Sequence, residues 1–399
     1  MDTILEKARA IHDDVIAIRR DIHAHPEIGH KEVRTSALIV EQLRAAGVDS
    51  IEQPTPTSVV ATITGTAPGG SSGRRCVALR TDIDALPVDE DTGLEFSSCI
   101  PGMMHACGHD IHCAMMLGNA RILASMKDQF SGTVKLIFQH SEDTFPGGSR
   151  ELIEKGVMKG VDAILGMHVI STENDRCGVI GLKEGPVTTS ADEYAFEITG
   201  PGGHGSMPHK APDPILAAAE MIVMLQQIQS RAVPPLDASI IMMNKISGGK
   251  APNIISDKVN MVGNARAYKP EVRKIMEENV YRIANGVQEI SGCTVRVDAT
   301  FGYDPCYNDP ELFSLVRSSI TEVLGEDKVE VYDEPLSFSE DFSFYSTLTG
   351  VPGLFMMLHA GNLNGVKALH NAQVTFSEDA IPYGMTAMVS SALMLLGNR

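Results

Sequence analysis

The stretch TVKLIFQHSED, residues 133–143, runs from β-forming apolar residues into a pair of acids. Similar runs occur before and after it, at RRCVALRTDIDALP (74–87) and DAILGMHVI (162–170), and CAMMLGNARILASM (113–126) has the spacing of a helix. Strands that alternate with helices in this way are typical of α/β proteins. The sequence therefore predicts an α/β fold in which helices flank a mostly parallel sheet.

Polar residues lie at or just after the ends of the predicted strands. They are Asp82, Asp84, Glu142, Asp143 and His168. Ligands of open α/β sheets bind beyond the carboxyl ends of the strands. We therefore expect separate segments of the chain to deliver these side chains to one cleft.

The pattern changes near residue 186. Two helical segments (213–231 and 271–291) and about four strands then follow, which together are typical of an α+β unit. After about residue 302 the apolar runs of the first part return. We expect a catalytic domain formed by residues 1–186 and 302–399, with residues 187–301 inserted into it.

Charge and cysteine content exclude several classes of partner. The chain has 399 residues, with 33 basic and 51 acidic side chains and a net charge of −18. Such a charge disfavours nucleic acid and membrane surfaces as partners. The amino-terminal residues have no signal-peptide pattern. The seven cysteines are scattered without a repeated spacing, which favours a reducing cytoplasm over a disulfide scaffold.

The segment MMHACGHDIH (103–112) holds three histidines, a cysteine and an aspartate. Cys107 and His109 are one residue apart, so a loop could present both to one metal ion, although a thiol active site or a histidine-rich surface helix has the same composition. In SED (141–143) one carboxylate could bind metal and the other could move protons. His168 and His370 taken singly are more typical of a protein core than of a metal site.

Eight motifs carry a resemblance to a known family. In chain order the sequence has RTDIDALP, MMHACGHDIH, FQHSED, GMHV, GPGGHGSMPHKAPDPI, APNIISD, SEDFSFY and ALHNAQVTF. Together they resemble the aminoacylase and carboxypeptidase clan of metallopeptidases. Within it, the chain is similar to the subgroup of hippurate hydrolase, indole-acetyl-amino-acid hydrolases and N-acetyl-diaminopimelate deacetylase. The similarity extends from about residue 8 to residue 395.

The resemblance implies a hydrolase with two divalent metal ions (zinc, manganese, cobalt or nickel) that cleaves the amide bond of N-acetyl, N-benzoyl or indole-acetyl amino acids. It also implies that the inserted unit is a lid that forms a homodimer or a dimer-based oligomer. The implied metal ligands are Cys107, His109, Asp143, His168 and His370.

Further roles follow from the same resemblance. Glu142 lies at the position of the general base, and Asp84 at that of an acid beside the metals. His204 occupies the position of a lid histidine that reaches the partner subunit's site. Asn253 and Arg266 occupy lid positions that hold the substrate's carboxylate or amide.

The chain departs from the family pattern near these residues. Asp143 stands where the family usually has a glutamate, and its shorter side chain requires a metal either to lie closer to the strand or to be held differently. His140 replaces a small residue or proline. Asn371 and Ala372 replace a histidine and a proline, so we expect an unusual substrate.

Three alternatives remain open at this point. A cysteine hydrolase would use Cys107 as nucleophile and His109 as base, although neighbours in one loop rarely have that geometry. A hydrolase of another C–N bond would act on a dipeptide or an aromatic amine. A non-catalytic binding protein would bind substrate without turnover, which gives Glu142 no role.

Overall fold

The computed structural model describes residues 3–68 and 76–397. The chain divides into two compact units. The first comprises Met1–Val187, Tyr307–Pro335 and Asp341–Arg399, and the second comprises Thr188–Cys306 and Leu336–Glu340. The glycine-rich stretch 65–75, which the sequence predicts to be an exposed loop, lies outside the described residues from position 69 onward.

The first unit contains eight helices, counted over its described residues. They are α1 (Ile4–Ala10), α2 (His12–Ala24), α3 (Val33–Ala46), α4 (His109–Ala124), α5 (Ser149–Glu154), α8 (Pro310–Leu324), α9 (Ser343–Thr347) and α10 (Ile381–Leu395). Its strands are β1 (Ser50–Glu52), β2 (Val59–Thr64), β3 (Cys76–Asp82), β4 (Thr133–Gln139), β5 (Ala163–Ile170), β6 (Ile180–Leu182), β7 (Gly185–Pro186), β14 (Tyr307–Asn308), β15 (Val329–Val331) and β16 (Gly353–His359).

Eight of these strands form one sheet in the order β1-β2-β4-β3-β5-β16-β6-β15, while β7 pairs with β14. The four central strands, β4, β3, β5 and β16, are parallel neighbours. Strands β3, β5 and β16 are almost entirely buried, as expected of a parallel sheet covered on both faces. The predicted α/β fold with a mostly parallel sheet is confirmed.

The second unit contains a four-stranded antiparallel sheet in the order β10-β12-β8-β13 and a two-stranded ribbon. The strands are β8 (Asp192–Thr199), β9 (Gly203–His204), β10 (Ser239–Gly248), β11 (Ile254–Ile255), β12 (Lys258–Ala267) and β13 (Thr294–Phe301). Its helices are α6 (Pro214–Gln227) and α7 (Pro270–Ser291). The apolar faces of both helices pack on one face of the larger sheet.

Two element boundaries differ from the sequence-based expectation. Helix α4 begins at His109 instead of residue 113, because Gly108 turns the chain in the left-handed region (φ 85°) directly before it. The helix predicted for 213–231 ends as an α-helix at Gln227 and continues as one π-helical turn. Among the described residues, no helix has the length and apolarity that a membrane crossing requires.

Burial of the central strands gives a stability prediction. Leu79 on β3 is 0% exposed, whereas Val331 on the edge strand β15 is 41% exposed. Leu79→Ala should lower the free energy of unfolding by about 2–5 kcal/mol, because it removes buried methyl groups and leaves a cavity. Val331→Ala should cost less than about 1 kcal/mol. Urea denaturation of both variants checks this, and equal costs would contradict the assigned packing.

Candidate active site

The parallel sheet brings the predicted site residues to one edge. Strand β3 ends at Asp82, shortly before Asp84, and its neighbour β4 ends at Gln139, shortly before Glu142. His168 lies near the carboxyl end of β5, the neighbour of β3 on its other side. Since parallel strands all end at the same edge, residues distant in sequence become adjacent.

Five side chains place donor atoms around one small space. The Cys107 Sγ lies 3.4 Å from the His168 Nε2 and 3.3 Å from the His370 Nε2. The Asp143 carboxylate lies 3.5 Å from the His370 Nε2 and 3.8 Å from the His109 Nε2. Ligands at the usual zinc–nitrogen and zinc–sulfur bond lengths are separated by about 3.3–3.6 Å in a tetrahedral site. Distances of this size would allow these atoms to share a metal ion.

Hydrogen bonds on the far side of each ring direct the ring nitrogens. The His168 Nδ1 donates to the Val169 carbonyl at 2.7 Å. The His109 Nδ1 donates to the Asp84 carbonyl at 3.0 Å and lies 3.2 Å from its Oδ1. Each ring therefore turns its Nε2 toward the cluster, the arrangement that orients metal-bound histidines.

The His109 Nε2 supplies a direct test of whether a metal fits. This atom is buried, and it makes no hydrogen bond within the described part of the chain. A buried polar atom without a partner is costly, so something absent from the polypeptide must satisfy it. Imidazole, thiolate and carboxylate donors suit zinc, manganese, cobalt or nickel. The residues fit a divalent cation.

The electrostatics of the cluster favour a positive charge. Burial lowers the pKa of His109, but Asp82, Cys107 and Asp84 raise it by a larger amount. Its pKa therefore lies well above 6.5. Burial, together with neighbouring histidines, lowers the pKa of His168 and of His370, which favours the neutral form of both rings. The carboxylates around His109 thus stabilise a cation at this place, whether a proton or a metal ion.

The environment of Cys107 argues against a cysteine nucleophile. Burial raises its pKa well above the usual value of 9.0, and the charge of Asp143 raises it further. A nucleophilic cysteine requires the opposite shift, toward the thiolate at neutral pH. A thiolate at this position would need a metal ion as its counter-charge.

A second layer of residues lies behind the candidate ligands. The His112 Nδ1 donates to the Asp82 Oδ1 at 2.6 Å, and the Val169 N–H donates to its Nε2 at 2.8 Å. Val169 is also the residue whose carbonyl orients His168. His112 itself is buried. Its spacing of three residues from His109 on a helix was the signal that placed it nearby.

A buried guanidinium completes this layer. Arg80 donates at 2.8 Å to both Asp82 and Asp341 and at 2.9 Å to Gln139. The Asp341 N–H in turn donates to the Glu142 carboxylate at 3.4 Å. Asp341 belongs to the SEDFSFY motif, which the sequence analysis recognised without giving its aspartate a role. The network links the Glu142 carboxylate to the residue that orients His112.

Glu142 is 4% exposed and follows a strained turn. Ser141 has φ 55°, and its N–H donates to the Glu32 carboxylate at 2.8 Å. The Asp143 N–H donates to Asp84 at 3.0 Å. Two buried carboxylates thus hold the backbone on either side of Glu142, which fixes where its own carboxylate lies.

The residues of the second unit form two separate groups. His204 and Asn253 lie together, because β9 pairs with β11 and the Gly205 N–H donates to the Asn253 carbonyl at 2.8 Å. The Ser206 N–H donates to the His204 Nδ1 at 3.2 Å, which leaves the proton on Nε2. His204 is exposed. Arg266 is half-buried on β12 and donates to the Ser339 hydroxyl at 2.7 Å.

Glu32 gives a prediction about pH. Burial, aided by the charge of Asp84, raises its pKa from 4.5 to about 7. Because the folded state then binds this proton more tightly than the unfolded state, the contribution to stability is complete below about pH 4.5 and is lost as pH rises through about 7. Glu32→Gln mimics the protonated form and removes this dependence.

Relative to Glu32→Gln, the wild type should lose at most about 3 kcal/mol of unfolding free energy between about pH 4.5 and about pH 8. Urea denaturation across this range measures the difference. Glu41→Gln, at an exposed position of α3, is the matched control and should show no such trend. Parallel pH profiles for wild type and Glu32→Gln would show that Glu32 is not protonated on folding.

Comparisons with known proteins identify the family of the chain. The chain is 39% identical over 298 residues to the N-acyl-L-amino acid amidohydrolase of Geobacillus stearothermophilus, with 75% of this chain and 79% of the relative covered. It is 37% identical to thermostable carboxypeptidase 1 of Saccharolobus solfataricus, covering 97% and 96%. The crystal structure of a Bacillus subtilis dinuclear metal binding peptidase of the M20 family has a TM-score of 0.84 at 31% identity, covering 98% and 100%. Residues 78–393 match the model of peptidase family M20/M25/M40, and the chain belongs to that family.

Proposed function

We propose that this chain is a metal-dependent hydrolase of N-acyl amino acids. The observation that carries the proposal is the convergence of the Cys107, His109, Asp143, His168 and His370 donor atoms beside the buried Glu142. One relative is named for N-acyl amino acid hydrolysis, and one neighbour is described as dinuclear. These descriptions support acyl-amino acids as substrates and two divalent cations as the cofactor.

The proposed ligands have different roles. Cys107, His109, Asp143, His168 and His370 would hold the cations, and Asp84 would orient His109. Divalent cations supply Lewis acidity that polarises an amide carbonyl and acidifies water. Glu142 takes the proton of the attacking water and delivers it to the departing amine, which an amide requires because its leaving group is poor.

The second unit supplies the groups that hold the substrate. With its Nδ1 occupied by Ser206, His204 presents the Nε2 proton, which can donate to the oxyanion of the tetrahedral intermediate. Arg266 binds the substrate carboxylate by a forked contact, and Asn253 binds the amide. A cationic contact also explains how an anionic substrate binds to a chain of net charge −18.

We also propose that the enzyme is a homodimer formed through the second unit. Strand β10 is at an edge of the four-stranded sheet, where Ile240, Met242 and Ile246 are exposed. On α6, Leu216 and Val223 are 58% and 69% exposed. An unpaired edge and exposed apolar side chains are suited to association with a second copy.

The seven free cysteines fit a cytoplasmic location.

Glu142→Gln should lower kcat on an N-acyl amino acid by about 10²–10⁴-fold, because the amide cannot accept the proton. Its metal content should equal that of the wild type. Asp143→Ala is the contrasting variant and should lose metal as well as activity. Steady-state kinetics on N-acetyl, N-benzoyl and indole-acetyl amino acids, with metal analysis, measures both. Equal turnover by wild type and Glu142→Gln would refute the assignment of the base.

Mixing two inactive variants tests which subunit supplies the His204 that acts in a given active site. If His204 acts in the partner's site, a mixed dimer of Glu142→Ala and His204→Ala chains has one site that contains both Glu142 and His204. Equal mixing after subunit exchange should restore about one quarter of wild-type activity, since half of the dimers are mixed and each has one active site. Sedimentation confirms the dimer. Failure to restore activity in verified mixed dimers would place His204 in the site of its own chain.

A further inference from the structure

A second cluster of donor groups surrounds His140, which lies two residues before Glu142. It consists of His30, His140 and Glu151, which each offer one ligand atom within 4.8 Å of the other two. The rings of His30 and His140 are 5.1 Å apart and inclined at 66°. The His140 Nε2 lies 3.2 Å from the Glu151 carboxylate. None of these residues has a role in the proposed hydrolysis.

The cluster is half enclosed. His140 has a side chain that is 1% exposed, while that of Glu151 on α5 is 42% exposed and His30 is exposed. The His140 Nε2 is the nitrogen that faces Glu151, and the two exposed partners leave an open path for a solvated ion.

The backbone around the cluster is packed too closely for ordinary side chains. A Cβ at Gly148 would lie 2.1 Å from the His140 carbonyl oxygen and 3.0 Å from its ring. A Cβ at Gly29 would lie 2.6 Å from the Ser141 Oγ. These glycines let the segment before His30 and the segment before α5 close on the turn at residues 140–144. His30 itself has φ 63°.

We propose that His30, His140 and Glu151 form a further binding site for a divalent transition-metal cation such as Zn²⁺, separate from the catalytic cluster. Two imidazoles and one carboxylate are a common donor set for such ions. Burial and the neighbouring His30 lower the pKa of His140, so its ring is a neutral ligand at pH 7, and Glu151 supplies negative charge. An ion here would fix His140, two residues before Glu142.

The test is the number of zinc ions that the holoenzyme binds. Wild type, His30→Asn, Glu151→Gln and His25→Ala are dialysed against the same excess of free Zn²⁺, and bound zinc is measured by mass spectrometry. Asparagine is chosen because it tolerates a left-handed φ, and Glu151→Gln keeps the shape of the side chain. His25→Ala, which removes a partly exposed imidazole outside the cluster, is the control.

We expect wild type and His25→Ala to bind one more equivalent of zinc than His30→Asn and Glu151→Gln. Zinc titration by calorimetry should show that the additional equivalent weakens at least about 10-fold in Glu151→Gln, since a neutral amide is a poorer ligand for this ion. Circular dichroism confirms that both variants are folded. The same zinc content in folded His30→Asn, Glu151→Gln and wild type would overturn the proposal.

Discussion

Compensation of buried negative charge is the constraint on which the rest of the site depends. Asp82, Asp84, Glu142 and Asp341 are each at most 4% exposed and meet at the carboxyl ends of the central strands. Arg80 forms ion pairs with Asp82 and Asp341 at 2.8 Å. The acidic groups also raise the pKa of His109 well above 6.5 despite its burial. Burying this many carboxylates is tolerable only where cations are bound among them.

The parallel sheet makes this concentration of charge possible. Asp82, Asp84 and Glu142 lie at or beyond the ends of strands that are largely apolar and buried, so burial stabilises the strands while the charges collect at one edge. The hydrogen bonds behind the ligands then set ring orientation: Asp82 with His112, Val169 with His168, and Asp84 with His109. A shift of one strand register would break several of these contacts together.

Much of the fold and the proposed ligand set could be predicted from the sequence, because strand periodicity and short motifs are local properties. The α/β class followed from strand periodicity, and the proposed ligands Cys107, His109 and His168 followed from the family resemblance that the motifs carry. The roles of Arg80 and Asp341 did not, since their contact spans 261 positions of the chain and neither residue type indicates a partner. The membership of residues 336–340 in the second unit could not be predicted either, because it depends on a contact between residues distant in the sequence, from Arg266 to Ser339.

The central claim is that the donor cluster holds two divalent cations beside Glu142, and anomalous X-ray diffraction from crystals grown with Zn²⁺ tests it most directly. The account predicts two anomalous peaks about 3.5–4 Å apart, the usual separation in two-metal hydrolases. These peaks should lie among the donor atoms of Cys107, His109, Asp143, His168 and His370. A map with no peak at these side chains, from crystals whose zinc content is verified, would contradict it.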